Sequence, residues 1–276
     1  MFQQFGHCKP RLIQNMTDTL QTLNDKETLR YSRHILLDEV GLDGQLMLKR
    51  STVAVVGAGG LGSPALLYLA AAGIGSLILI DDDVVELSNL QRQVLYKVNH
   101  LGQNKVRAAR KVLASLNNQI NIVTHSQKLS DANSDALFSN ADIVLDCSDN
   151  FATRYTVNRF CVNNKTPLIS AAALATQGQL MGFDFRQTDS PCYGCVFPHS
   201  DANPVVNCDN AGVISPLLGV IGSMQAQLTL NMLLGHFGGS VFITFDALSL
   251  KQQHFKMAKN LACRECGSMS KEQLRC

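Results

Sequence analysis

Thr52-Val53-Ala54-Val55-Val56 runs without a break into Gly57-Ala58-Gly59-Gly60-Leu61-Gly62. The first five residues are Val-rich and read as a buried strand. The next six fit G-x-G-x-x-G and lead into Pro64-Ala65-Leu66-Leu67-Tyr68-Leu69-Ala70-Ala71-Ala72, an Ala/Leu-rich run that predicts a helix ending near Gly73. Strand, glycine turn and helix in that order suit a phosphate. The backbone must turn sharply and bring N–H groups close to the ligand with no Cβ between, while the helix N-terminus supplies positive potential. Leu77-Ile78-Leu79-Ile80 predicts a second strand ending at Asp81, about 20 residues on, where a carboxylate can bind a ribose hydroxyl. The other source of such a pattern is a tight turn in an unrelated α/β protein.

Outward from this unit, the polar segment after Asp81 carries Asn89 and Arg92 just past a strand end, where open α/β sheets bind ligands. Lys105 opens a helix whose apolar stripe is Val106, Ala109, Val112, Leu113 and Leu116. A cation in a first turn opposes the helix dipole, which an anionic ligand would explain. Strands are expected at 120–123 and 143–146, the second followed by Ser148-Asp149-Asn150 and a helix over 152–162. Asp149 reads either as the cap of that helix or as a magnesium ligand. This alternation predicts a parallel, doubly wound sheet. Past Leu168, strands at 180–185, 241–245 and 253–256 and a helix over 223–234 surround a Pro/Asn/Asp-rich loop at 199–210, as the second half of one fold with no linker.

Upstream, residues 1–23 read as a flexible arm. Residues 1–15 are expected to contribute nothing to folding or catalysis, with Met16 as an alternative start of translation. Asn24 and Glu27 form a capping-box pattern opening a helix through Leu29, Arg30, Tyr31, Arg33 and His34. From spacing alone Arg30 and Arg33 are a solvated basic face. Another short helix should start at Asp43.

The chain has 276 residues, 46% of them apolar, enough for a sizeable core. A net charge of +2 with no Lys/Arg block gives no basic field for nucleic acid. No apolar run has the length of a membrane span and no export signal opens the chain, so a reducing cytoplasm is the expected compartment. Nine cysteines there need an explanation other than disulfides. Cys192-Tyr193-Gly194-Cys195 and Cys263-Arg264-Glu265-Cys266-Gly267 are two knuckles whose glycines suit turns that aim both thiolates at one ion. Four thiolates imply structural zinc tying the chain's end to its middle. A redox C-x-x-C is less favoured, because neither pair is expected to open a helix after a strand. No G-x-x-x-x-G-K-[ST] is present, and residues 81–105 offer no hydride-transfer site. Asn89, Arg92 and Lys105 suit a triphosphate, and ATP fits better than the dinucleotide of an NAD-dependent oxidoreductase.

The glycine turn, Asp81-Asp82-Asp83, Leu87-Ser88-Asn89-Leu90-Gln91-Arg92-Gln93, Gly102-Gln103-Asn104-Lys105, Asp146-Cys147-Ser148-Asp149-Asn150 and both cysteine pairs together resemble the bacterial E1-like family of ThiF and MoeB. The resemblance covers about residues 28–267 and leans slightly to ThiF. It implies a Rossmann-like, doubly wound, mostly parallel sheet extended by antiparallel strands, with a four-cysteine zinc site. A nucleotide-binding part over 50–170 and a carrier-binding and zinc part over 171–267 would lie in one adenylyltransferase domain, 24–276. The implied reaction is ATP-dependent adenylation of the C-terminal glycine carboxylate of a ubiquitin-like sulfur-carrier protein, for thiamine or molybdopterin biosynthesis. An E1-like enzyme for another carboxylate, or a zinc-stapled module without chemistry, are the neighbouring readings.

By that resemblance Gly57, Gly59, Gly60, Gly62, Asp81, Asp83, Asn89, Gln93, Arg92, Lys105 and Asp149 bind Mg-ATP. Asp81 takes the ribose, Asp149 the magnesium, and Arg92 and Lys105 the phosphates. Arg30-Tyr31-Ser32-Arg33-His34-Ile35-Leu36-Leu37 resembles the family's N-terminal helix, which implies that Arg33 reaches into the partner's site of a symmetric homodimer. A cysteine desulfurase or sulfurtransferase is a further implied partner. Cys208 stands where the family keeps a cysteine tied to covalent linkage with the carrier. The alternative is a loop thiol without a role, since Asp209 would raise its pKa.

Overall fold

In the quoted strand Val53 and Val55 face one core while Ala54 and Val56 face another, so its period of two is buried on both sides. It is the central β1 (Thr52–Val56) of a sheet completed by β2 (Ser76–Ile80), β3 (Asn121–His125), β4 (Ile143–Asp146), β5 (Leu168–Leu174), β6 (Gln177–Phe183), β7 (Ser240–Asp246) and β8 (Lys251–Phe255). The computed structural model describes residues 22–199 and 212–267. Spatial order is β3-β2-β1-β4-β5-β6-β7-β8. The first five strands in this order are parallel and β6, β7 and β8 continue antiparallel, the expected extended doubly wound sheet.

The helices are α1 (Asp25–Arg30), α2 (Ser32–Ile35), α3 (Gly41–Arg50), α4 (Gly62–Ala72), α5 (Lys105–Leu116), α6 (Asp131–Phe138), α7 (Phe151–Asn164), α8 (Tyr193–Val196) and α9 (Ser215–Leu233). Leu66 and Leu69 of α4, Val106 and Leu113 of α5 and Ile221 of α9 pack on one face of the sheet. Phe138 of α6 and Tyr155 and Phe160 of α7 cover the other, together with Cys192 and Cys263. The chain order reverses between β1 and β4, and the crevice at their carboxyl ends is where such sheets bind ligands. Among the described residues no helix is long and apolar enough to cross a membrane.

Several expectations need correction. The Asn24–Glu27 capping box is present, but the helix it opens breaks at Tyr31 (φ −96°, ψ 11°). The break lets the buried Tyr31 hydroxyl accept a hydrogen bond from Asn117 Nδ2 at 2.9 Å. α3 starts at Gly41 rather than Asp43. β3 reaches His125 because its register with β2 runs from Ser76–Asn121 to Ile80–His125. β6 spans Gln177–Phe183 rather than 180–185, with Gly178 paired to Ala173 and Phe245, and position 178 takes a glycine because a Cβ there would stand 2.6 Å from Ile221. β7 and β8 each begin slightly before the predicted strands.

α9 starts well before 223. Pro216 sits in its first turn, where a missing N–H costs nothing, and Gly222 permits close packing on Leu61 and Pro64 of the nucleotide turn and α4. Besides the one-turn α8, two longer elements are not expected from the sequence. β5, Leu-Ile-Ser-Ala-Ala-Ala-Leu, has no strand-like alternation because the sheet buries it on both faces. α6 is too polar to show a stripe and is held by a Ser130–Asn133 capping box. Of the predicted arm, residues 1–21 lie outside the described residues, while the Thr22 carbonyl accepts from Lys49 Nζ at 3.0 Å.

Candidate active site

β1 and β4 end at a cleft of about 710 Å³. Gly57 turns the chain with φ +91°, and a Cβ there would lie 2.8 Å from the Cys147 carbonyl oxygen. Gly59 and Gly60 line the cleft, whereas Gly62 is the first residue of α4 and a Cβ on it would collide with the Gly57 carbonyl. Gly62 is therefore a packing glycine. Asp81 Oδ2 accepts from the Ala58 N–H at 2.7 Å and Oδ1 from the Asp83 N–H at 2.9 Å, so the carboxylate braces the turn as well as facing the cleft. Burial holds its pKa above the ordinary carboxylate value, against the opposing effect of Lys105.

Lys105 is in the first turn of α5, its side chain buried and its Nζ 2.9 Å from Asp83 Oδ2. Arg92 lines the cleft and donates from Nη1 to the Ser88 carbonyl at 3.1 Å. Gln93 is buried beside Gly59, and its Oε1 has no hydrogen-bond partner among the described residues. Asn89 is not brought to the cleft. Its Oδ1 accepts from the Glu86 N–H at 3.2 Å and closes the one-turn 3-10 helix Leu87–Asn89 that presents Arg92. A glycine cradle, a buried ammonium, a guanidinium and an unpartnered amide oxygen fit a nucleoside triphosphate.

Across the cleft, Asn150 rather than Asp149 caps α7, accepting from the Thr153 N–H at 2.9 Å. This removes the helix-cap reading of Asp149, which is exposed in the cleft wall. Buried Asp146 fixes the loop, its Oδ1 accepting from Ser148 N and Oγ (3.0 and 2.5 Å) and its Oδ2 from Ser170 Oγ (2.8 Å). Arg33 is exposed on α2 and does not line the cleft of its own chain. Arg30 is not merely solvated: its Nη1 donates to the Leu116 carbonyl at the end of α5, at 3.0 Å. Cys208 lies outside the described residues.

Sequence reasoning missed three supports. The Tyr96 hydroxyl donates to the Ala58 carbonyl at 2.7 Å and burial pushes its pKa up. Gln225 of α9 donates to the Asp146 carbonyl at 3.0 Å and accepts from the Cys147 thiol at 3.4 Å. Arg154 of α7 reaches the Ser148 carbonyl at 2.9 Å. Its burial favours the neutral form, yet Asp146 and Tyr193 more than offset this and hold the guanidinium above its usual pKa. None of the three carried a local motif: Tyr96 and Gln225 meet partners remote in sequence, and Arg154 joins nearby Ser148 to the remote Tyr193.

The four knuckle sulfurs lie within 4.8 Å of one another. Cys192 and Cys195 are 3.9 Å apart, Cys192 and Cys263 3.7 Å, and Cys195 and Cys266 3.4 Å. A tetrahedron with Zn–S bonds of about 2.3 Å has edges of about 3.8 Å, so this cluster could hold zinc. Cys192 caps the one-turn α8, contrary to the expectation that neither pair opens a helix, but no strand leads directly into it. The Cys266 thiol and burial raise the pKa of Cys192, the condition a bound cation would reverse.

The chain is similar to several known proteins. It is 45% identical over 246 residues to adenylyltransferase and sulfurtransferase MOCS3 of Aedes aegypti, covering 89% of this chain and 55% of that protein. It is 43% identical over 247 residues to the molybdopterin-synthase adenylyltransferase of Escherichia coli K12, covering 89% and 98%. The sulfur carrier protein ThiS adenylyltransferase of the same organism is 42% identical over 247 residues, covering 89% and 97%. The chain thus spans about half the length of the MOCS3 relatives and nearly all of the two bacterial ones. Among solved structures, E. coli MccB with ATP superposes with TM-score 0.73 at 25% identity, over 86% of this chain and 74% of that one. Residues 31–266 match the ThiF family, and the chain belongs to it.

Proposed function

We propose that this protein is a nucleotidyltransferase that uses ATP to adenylate the C-terminal glycine carboxylate of a ubiquitin-like sulfur-carrier protein, in thiamine or molybdopterin biosynthesis. One observation carries the reading. The glycine turn, Arg92, Lys105 and Asp149 converge on one crevice in a chain that spans nearly all of relatives named molybdopterin-synthase adenylyltransferase and sulfur carrier protein ThiS adenylyltransferase. The carrier's carboxylate attacks the α-phosphorus, and an acyl-adenylate and pyrophosphate result. The carboxylate is ionised at neutral pH, so no general base is needed. The protein's task is to hold the reactants in line and to place cations where charge grows.

Lys105 and Arg92 serve the phosphates, and Gly57, Gly59 and Gly60 let the nucleotide approach the backbone. Gln93 offers its unpartnered Oε1 to the nucleotide, and Asp83 releases Lys105 as the phosphates arrive. Asp81 keeps its ribose role in this reading, with one oxygen shared between the sugar and the turn. Asn89 acts by shaping the loop that presents Arg92. Asp149 would hold magnesium, which supplies charge neutralisation of the triphosphate. Cys192, Cys195, Cys263 and Cys266 would hold a structural zinc that contributes folding energy.

Arg33 would complete the site of a partner subunit in a homodimer, which accords with its not lining its own cleft. Cys208 and a sulfur-donating desulfurase or sulfurtransferase would belong to the later transfer of sulfur. These roles belong in the cytoplasm. Pyrophosphate–ATP exchange, measured with each candidate carrier, tests the proposal. Exchange that depends on a carrier with an intact C-terminal glycine is expected, and its absence with all of them would overturn the reading.

A further inference from the structure

α7 joins the nucleotide cleft to the cysteine cluster. Arg154, only 9% exposed, lines the cleft and reaches from there to Tyr193 of the cluster. Its Nη2 donates to the Ser148 carbonyl at 2.9 Å and to the Ala171 carbonyl at 3.3 Å, and its Nη1 donates to the Tyr193 hydroxyl at 3.4 Å. Tyr193 is inside the first knuckle, and its N–H donates to Asn158 Oδ1, one turn further along α7, at 2.9 Å. The next residue, Arg159, pairs with Glu265 inside the second knuckle at 3.1 Å. One helix therefore grips both knuckles and the loop that carries Asp149.

The grip on that loop is specific. Ser148 already donates from N and Oγ to Asp146, so the Arg154 bond engages its remaining polar atom, the carbonyl oxygen. That carbonyl shares a planar peptide unit with the Asp149 amide, so the bond holds the plane on which Asp149 is mounted and leaves only φ and χ1 of Asp149 to aim its carboxylate. A planar guanidinium can satisfy two carbonyls and a hydroxyl together, which an ammonium on a flexible stem does not reproduce.

We propose that Arg154 is a positioning residue that aims Asp149 into the cleft and, through the Tyr193 hydroxyl, makes that aim depend on the assembled cysteine cluster. The proposal rests on the functional reading above in taking Asp149 as the magnesium ligand. It differs from a purely structural role for a buried arginine, which would affect nucleotide binding equally with and without magnesium.

The test uses the full, zinc-loaded chain and its variants Arg154→Met, Arg154→Lys and Tyr193→Phe. Zinc content and melting temperature serve as controls, and the affinity for a fluorescent ATP analogue is measured with saturating magnesium and in magnesium-free buffer. Arg154→Met should keep its zinc and lose about 10- to 100-fold in affinity with magnesium, the scale for removing a group that orients a metal ligand. Without magnesium it should stay within about twofold of the wild type, since the glycine turn is untouched. Tyr193→Phe should shift the same quantity in the same direction by about threefold, the effect of one weak hydrogen bond.

Unchanged magnesium-dependent affinity in folded, zinc-loaded Arg154→Met overturns the proposal, as does an equal loss with and without magnesium. Wild-type behaviour of Tyr193→Phe beside an impaired Arg154 variant overturns the link to the cysteine cluster. If Arg154→Met does not fold, Arg154→Lys and Tyr193→Phe decide on the same criteria. Asp149→Ala, measured alongside, should lose the magnesium dependence, and its retention would remove the premise. Wild-type protein that binds Mg-ATP in this manner but exchanges no pyrophosphate with any carrier would instead sink the adenylation reading and leave this one standing.

Discussion

Lys105 Nζ lies 2.9 Å from Asp83 Oδ2, with the lysine side chain 6% exposed and the aspartate 69%. The partners are unequal: the cation is fixed in the cleft wall while the anion stands in water and can swing away. A desolvated ammonium interacts strongly with an incoming phosphate, and Asp83 keeps it neutralised until then. Lys105→Ala and Arg92→Ala should each lower carrier-dependent exchange by roughly 10²-fold or more, the scale for losing one preorganised donor. Asp81→Ala should chiefly weaken ATP binding, because it unties the Ala58 N–H and, on the proposed reading, removes the ribose acceptor. Wild-type exchange in the Lys105 or Arg92 variants would exclude the assignment.

Gly57 offers a sharper test of the turn. It has φ +91°, and a Cβ would meet the Cys147 carbonyl at 2.8 Å and the Ser148 nitrogen at 3.3 Å. Gly57→Ala combines a left-handed backbone cost of about 1–3 kcal/mol with displacement of the loop that carries Asp149. A lower melting temperature together with strongly weakened ATP binding is expected. Gly102→Ala is the control: its φ is +74° but nothing lies within 4 Å of the added Cβ. It should lose stability and keep nucleotide affinity. Equal nucleotide affinities in the two variants would show that the Gly57 contact does not matter.

The turn, Lys105 and the cysteine pairs are legible in sequence because each depends on residues close along the chain. Glycines at fixed offsets, a cation in a first turn and C-x-x-C spacing are local signals. Arg154, Tyr96 and Gln225 are not legible, since Gln225 meets Asp146 only after α9 has folded across the sheet. Asp149 is ambiguous for a different reason: it and Asn150 both precede α7 and both can cap it, and the Asn150–Thr153 hydrogen bond decides between them. β5 failed as a pattern because burial on both faces erases alternation. α9 begins before 223 because Pro216 sits at a tolerant first turn and Gly222 at a close helix contact, so neither interrupts it.

The cysteine cluster predicts about one zinc per chain by metal analysis. Cys263 is buried in the cluster with its sulfur 3.7 Å from that of Cys192, and four thiols without an ion would leave the two knuckles tied to α7 but not to each other by a metal. Cys263→Ser should lower the melting temperature and the zinc content together, because binding energy at such a site is folding energy. Metal-free protein with unchanged stability would refute the zinc assignment.

Arg33 is exposed on α2 and does not line its own cleft, while the proposed adenylation develops charge on the departing pyrophosphate that a further cation would stabilise. If Arg33 serves the partner's site, Arg33→Ala and Lys105→Ala chains are each inactive alone for different reasons. In a mixed dimer one site then carries both lesions and the other carries neither, so mixing should restore activity toward half of the wild-type value per heterodimer. If Arg33 acted within its own chain, each site of the mixed dimer would still carry one lesion and no mixture would recover. Subunit exchange is verified first by pull-down of differently tagged chains. Verified heterodimers without recovered exchange would place Arg33 outside the partner's site and leave the cleft to complete itself from its own chain.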